Sequence, residues 1–215
     1  MHITIDPKDA KRASEKIISE YGGKVCDWLP YLDRASLRSI EEVVGRALVL
    51  NALINIHFEA PTKVIKDWIE THNLSAHLTD REKDILNRDN SLLTEQELTN
   101  LYWYIESLWA LMWATTIIDE MPFDKGIADD MISFCPDLEN DEGPEKFTKN
   151  MVLRSANDIF KELDLYYRLH WWTRDGSLKG YSTGNVSLDI IMERRKALEW
   201  LFSPNIDWDN FPDDT

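Results

Sequence analysis

Between Ser39 and Glu97 the chain carries three capping boxes: Ser39-Ile40-Glu41-Glu42, Thr79-Asp80-Arg81-Glu82 and Thr94-Glu95-Gln96-Glu97. In each, a hydroxyl side chain and a glutamate three residues on can satisfy each other's open backbone N–H groups in a first helical turn. Three such signals so close together commit this part of the chain to helix. Asp6-Pro7 adds a fourth start, an N-cap followed by proline at the first helical position, and predicts a helix to Tyr21 that Gly22-Gly23 stop.

Apolar residues then recur at helical spacing. Val43, Ala47, Leu50, Ile54 and Phe58 form one face of a helix that ends before Pro61. Thr62 to His72 reads as a helix with Val64, Ile65, Trp68 and Ile69 inward, and Thr79 opens a short one to about Arg88. Thr94 opens the most apolar helix, through Ile118, and Lys125 to Phe134 reads as a short amphipathic one. Arg154 to Trp172 carries Ile159, Leu163, Tyr166 or Tyr167, and His170; Ser187 to Phe202 carries Ile191, Leu198 and Leu201 inward. The expected fold is all-α: one domain over 1–215, a compact bundle of seven to nine helices around a central helix at about 95–118. Segments 136–145 and 174–186 are expected to be exposed loops. The aromatics Trp208 and Phe211 predict that the acidic tail packs back on the body.

The net charge is −15, from 39 acids against 24 bases. That balance argues against binding nucleic acid, which needs basic surface to neutralise phosphates, and against anionic lipid. It favours solubility and could steer a basic protein partner. Ten of the acids lie between Asp119 and Glu145, against the single base Lys125. Leu101 to Ile118 is about one bilayer's worth of apolar helix, but Glu106 interrupts it and Glu97, Asp119 and Glu120 flank it, so a buried central helix is expected rather than a membrane span. Cys26 and Cys135 have no paired spacing and suit a reducing compartment, and Met1 to Asp6 lacks a signal-peptide pattern, so a cytoplasmic location is expected.

A few polar residues stand out. Glu106 is one carboxylate in an apolar helix, and burying it ionised and unpaired would cost several kcal/mol. It therefore needs a base, with Arg46, Arg168 and Arg194 available, or a retained proton that would suit a general acid or base. The ion pair is the expectation. In Asp164-Leu165-Tyr166-Tyr167-Arg168-Leu169-His170-Trp171-Trp172, Asp164 and Arg168 share a helix face, and Tyr167 can neighbour His170 or Trp171. His170 among aromatics is expected to pack against a hydrogen-bond partner, though a nearby carboxylate would make it fit for acid–base work. Glu193 and Arg194 are adjacent, so one is expected in an interhelix ion pair, with Arg195 exposed. The candidate polar cluster is thus Glu106, Asp164, Tyr167, Arg168, His170, Glu193 and Arg194.

No metal site is expected, because the histidines lack two-ligand helix spacing. No cofactor is expected either: the phosphate-cradling and dinucleotide glycine motifs are missing, as is the Gly-x-Ser-x-Gly elbow.

Three segments carry a family resemblance: Trp103-x-x-Glu106-x-Leu108-x-Ala110-Leu111-x-Trp113-Ala114, Leu163-Asp164-x-x-Tyr167-Arg168-Leu169-His170-Trp171, and Glu193-Arg194-x-x-Ala197-Leu198-x-Trp200-Leu201. With the closing Asp207-Trp208-Asp209 and Asp214-Thr215, they resemble the mostly bacterial family catalogued as domain of unknown function 4272. The resemblance runs from about Ala35 to the C-terminus. Family members often carry His where this chain has Arg195. The resemblance implies one helical domain whose pattern includes Glu106, Arg168, His170 and Glu193, and it brings no activity with it.

With no complete catalytic motif, a non-enzymatic role leads. The expectation is an acidic protein-binding or inhibitory module of immunity type, with a basic protein as partner. The alternative is an enzyme or small-ligand binder with a pocket around Glu106, Arg168, His170 and Glu193. A concave pocket enclosing those four would favour the alternative, and a closed, fully paired network beneath a flat acidic face would favour the binder.

Overall fold

The computed structural model describes residues 2–149 and 151–210. Among them it is all-helical, with eight α-helical segments and no strand: α1 (Pro7–Tyr21), α2 (Ile40–His57), α3 (Thr62–Thr71), α4 (Asp80–Leu86), α5 (Glu95–Ala114), the short α6 (Glu145–Thr148), α7 (Ala156–Lys179) and α8 (Leu188–Leu201). All three capping boxes form, with hydroxyl and carboxylate each bonded to the other's backbone N–H. Asp6 caps α1, and Gly22 ends it in the left-handed region at φ 92°.

The helices pack in a row. α2 lies against α3 and α5, α5 against α8, α8 against α7, and α7 against α1. α5 therefore sits between α2 and α8, and the buried side chains form one contiguous core around it. α2 does not present a single apolar face: from Val43 to Ile54 almost every residue is buried, including Gly45, Arg46 and Asn51. An all-round apolar helix can only be an interior one. Phe58, expected on the inward face, is the C-cap residue and is 62% exposed. Val64 is likewise 52% exposed, while Ile65, Trp68 and Ile69 face the core.

Three expected boundaries move. α5 stops at Ala114, not Ile118, with Thr116 left-handed at φ 58°. The reason lies in segment 152–154, which takes up the helix's open carbonyls. Val152 N–H donates to Thr115 O, Arg154 N–H to Ala114 O, and the Arg154 guanidinium to Trp113 O and Ile118 O. A cation at a helix C-terminus also complements its dipole. The helix expected at 125–134 shrinks to a 3₁₀ turn at Met131–Phe134. Before it, the carbonyls of Pro122 and Lys125 accept from the Arg194 guanidinium. Finally, α7 continues into the first six residues of the expected 174–186 loop, to Lys179, where Gly180 ends it at φ 71°. Gly176 is a contact point rather than a break, since a Cβ there would lie 2.8 Å from Thr183 Cγ2.

Segment 136–145 is a loop whose acids are mostly exposed, but Pro136 is buried and Trp68 Nε1 donates to Glu142 O at 3.1 Å. In the tail, Trp208 is 2% exposed, 5.4 Å from the Trp200 ring and beneath the Arg46 guanidinium. Phe211 and the closing Asp214-Thr215 lie outside the described residues. No helix among the described residues is long and apolar enough to cross a membrane.

Thr94 is exposed and its hydroxyl bonds only within the capping box, whose Glu97 also pairs with Arg88, so Thr94→Ala should lower stability by about 1 kcal/mol. Urea unfolding would show this as a lower midpoint at unchanged slope.

Candidate functional site

The seven residues singled out by sequence do not meet in one place. α7 explains why, since its polar residues lie on separate stripes at helical spacing. Glu162 and Tyr166 lie on one, Asp164 and Arg168 on a second, and Tyr167, His170 and Trp171 on a third.

The first stripe joins a buried cluster built on Glu106 and Arg194. Arg194 Nε lies 2.8 Å from Glu106 Oε2 and Nη2 lies 2.7 Å from the same oxygen. Arg194 also donates to Tyr166 Oη at 3.1 Å, to Pro122 O at 2.9 Å and to Lys125 O at 3.0 Å. One guanidinium thus ties α8 to α5, α7 and the 122–125 loop. Burial raises the Glu106 pKa, opposed by Arg194 and by the Ile127 backbone N–H. Burial likewise pushes Glu162 up to about 7, against the attraction of Arg194 and Arg154. No hydrogen bond or ion pair among the described residues reaches Glu162. Burial also raises the Tyr166 hydroxyl well above its ordinary value.

The second stripe is a buried ion pair. Arg168 donates to Asp164 through Nε at 2.9 Å and Nη2 at 2.8 Å, and reaches Pro30 O at 3.1 Å. This clamps α7 to the segment after α1.

The third stripe meets α8. His170 Nδ1 pairs with Arg195 Nη1, and Arg195 Nε donates to Glu199 at 3.2 Å. Arg195 is therefore buried, not exposed as expected, with its guanidinium carbon 4.9 Å from the Tyr167 ring centroid. Neighbouring residues diverge on a helix: Arg194 turns to α5, and Arg195 turns to α7. An arginine can only donate, so His170 Nδ1 accepts and the ring stays neutral. Burial first, then Arg195 and Arg174, lower the His170 pKa to about 4. Glu193 takes a fourth position, accepting from Ser107 Oγ at 2.8 Å.

Sequence reasoning passed over two groups. Arg46, considered as a partner for Glu106, instead forms a bidentate pair with Glu82 at 2.7 and 2.6 Å and donates to His77 O. Glu82 serves twice, since the same carboxylate closes the Thr79 capping box. The capping motif hid a buried ion pair. Glu162 gave no signal, because its neighbours come from other helices.

None of the seven lines either of two cavities in the surface. One, of about 410 Å³, is bordered by Arg38, Glu42, Arg46, His77, Trp200, Asp207 and Trp208. The other, of about 330 Å³, lies between α2, α5 and segment 127–135 and is mostly apolar. Outside the core, Asp119, Glu120, Asp129, Asp130, Asp137, Glu139, Asp141 and Glu145 are exposed along one irregular stretch. Lys125 is the one base in it.

Among comparisons with known proteins, a model of the family described as "Domain of unknown function (DUF4272)" matches residues 10–211. No curated protein and no solved structure matches.

Two predictions follow from the cluster geometry. Glu106→Gln leaves the Arg194 charge buried without its counter-ion and should cost roughly 3 kcal/mol in chemical unfolding. Glu162 bears on pH. A carboxyl whose folded pKa, about 7, exceeds its ordinary 4.5 stabilises the fold only while protonated. Its contribution is present below pH 4.5 and lost as pH rises through 7. His170 works in the opposite sense, because its contribution is lost as pH falls from 6.5 through 4. The readout is therefore the difference between Glu162→Gln and the parent. The variant should be more stable by about 1 kcal/mol at pH 8, discounted for partial exposure. That gain should vanish by pH 4.5.

Proposed function

This chain belongs to the DUF4272 family, and we propose that it is an acidic protein-binding or inhibitory module rather than an enzyme. One concrete form is an immunity-type protein that neutralises a basic toxin. The observation that carries this reading is how the candidate residues are used. Glu106, Arg168, His170 and Glu193 each bond across to another element, and none of them lines the two cavities described above. A general acid or base needs a substrate within hydrogen-bond reach and a pKa near the working pH. His170 is bonded to Arg195, and burial with Arg195 and Arg174 lowers its pKa to about 4, away from a neutral working pH.

The exposed acids between Asp119 and Glu145 support the same reading. Most of them are carried on irregular backbone, where side chains can adapt to a partner. Complementary charge of this kind acts mainly on encounter rate and partner choice, so the association should weaken as salt rises.

The test is an affinity pull-down of tagged protein from its native lysate, washed at low and high salt, beside a variant with Asp129, Asp130, Asp137 and Glu139 changed to their amides. One basic protein should be retained in near-stoichiometric amount, released as salt rises, and lost with the amide variant. Retention of nothing at either salt, or equal retention by the variant, would overturn the reading.

A further inference from the structure

The apolar cavity between α2 and α5 borders the acidic stretch, and together they define what would fit there. α2 contributes Asn51, Ile54, Asn55 and Phe58, spaced so that they form one stripe of the helix. Ile105 and Leu108 of α5 face them. The remaining wall is the segment holding Ile127, Met131 and Ile132, and the cavity measures about 330 Å³. At its lip, Phe58 is 62% exposed and Ile132 83% exposed, and Tyr102 extends the apolar surface with its ring 6.5 Å from that of Phe58. Large apolar side chains gathered around an open groove mark a contact surface.

The charged residue that lines the groove is an acid, and Lys125 is the one base in the acidic stretch beside it. Asp129 lines it, Asp130 follows, and Glu59 adjoins Phe58. Each of the three stretches 47–62, 89–124 and 126–145, which supply every wall, contains no Lys or Arg at all. An occupant must therefore be apolar on the side it inserts and positively charged around it. An acidic occupant would be repelled, and a second copy of this chain would bring like charge to the same rim. Strand addition needs an open sheet edge, and the described residues contain no strand.

We propose that the α2–α5 groove docks an amphipathic basic helix of a partner protein, whose apolar anchors enter between Ile54 and Leu108 while its Lys or Arg residues meet Asp129, Asp130 and Glu59. This rests on the reading of the chain as an acidic binding module and names the surface and the kind of partner. The helix offers anchors at i, i+3 or i+4, and i+7, a spacing that suits a groove running beside two helices. The acids supply salt-sensitive attraction, and the groove supplies the selection for an apolar face that acids alone lack.

The probe is a fluorescein-labelled synthetic helix of about four turns, with leucines at i, i+3, i+4 and i+7 and lysines elsewhere. A second peptide of the same composition has its leucines scattered around the helix. Fluorescence anisotropy is read against the parent, Phe58→Ala/Ile132→Ala, and Asp129→Asn/Asp130→Asn. Both substituted pairs are exposed, and unchanged thermal unfolding confirms that the variants fold. The patterned peptide should bind the parent about ten-fold more tightly than the scattered one. The Phe58/Ile132 variant should lose about that factor, and the Asp129/Asp130 variant should lose salt dependence. Equal binding of both peptides, undiminished by Phe58→Ala/Ile132→Ala, would overturn the groove and leave an electrostatic surface, which the pull-down judges separately. No binding of either peptide at low salt, or a self-association abolished by the Phe58/Ile132 change, would also overturn it.

Discussion

Glu106 is the residue around which this arrangement is organised. A carboxylate in the middle of an apolar helix must be paired, protonated or exposed, and Glu106 is only 5% exposed on an α5 packed between α2 and α8. Arg194 meets that need from α8. An arginine so deeply buried has donors of its own to satisfy, and it takes the carbonyls of Pro122 and Lys125 and the hydroxyl of Tyr166. Those contacts hold the 122–125 backbone against Arg194. The chain crosses the surface there as irregular backbone, and its acids stay outside. One desolvated charge thus links helix packing, loop conformation and surface character.

The same economy recurs elsewhere. Arg46 with Glu82 joins α2 to α4, Arg168 with Asp164 holds the segment after α1, and Arg154 closes the end of α5. Replacing such pairs with well-packed apolar residues is often neutral or better for stability, whereas removing one partner is costly. Their use here fits a role in specifying which helices meet and in what register. Helix surfaces rich in Leu, Ile and Trp would otherwise pack in several nearly equivalent ways.

In the proposed binding role, these interior pairs would hold the helices together and recognition would fall to the outside. The protein offers two unlike features there, an acidic irregular stretch and an apolar groove beside it. Neither alone would select a partner well. Charge attracts any basic surface, and an apolar groove accepts any greasy side chain. Side by side they require both properties of one ligand, which is how specificity arises as a difference between affinities.

Local chemistry decided what could be read directly from the chain. The starts at Ile40, Asp80 and Glu95 were legible because a capping box is complete within four residues, and the end of α1 because Gly22 alone supplies its left-handed turn. The need for a partner at Glu106 was legible from its apolar neighbours. What the partner was, and where helices stopped for want of a local signal, depended on residues distant in sequence. Arg154 ends α5 from 36 residues beyond Ile118. Thr183 and Tyr181 make Gly176 a packing position inside α7 instead of a break. Arg195, which looked like a surface residue, is drawn inward by His170 from 25 positions away. The division has a single physical cause. Backbone donors, caps and glycine torsions are settled within one turn, whereas a buried charge or a spent carbonyl is settled by whichever helix the fold brings alongside.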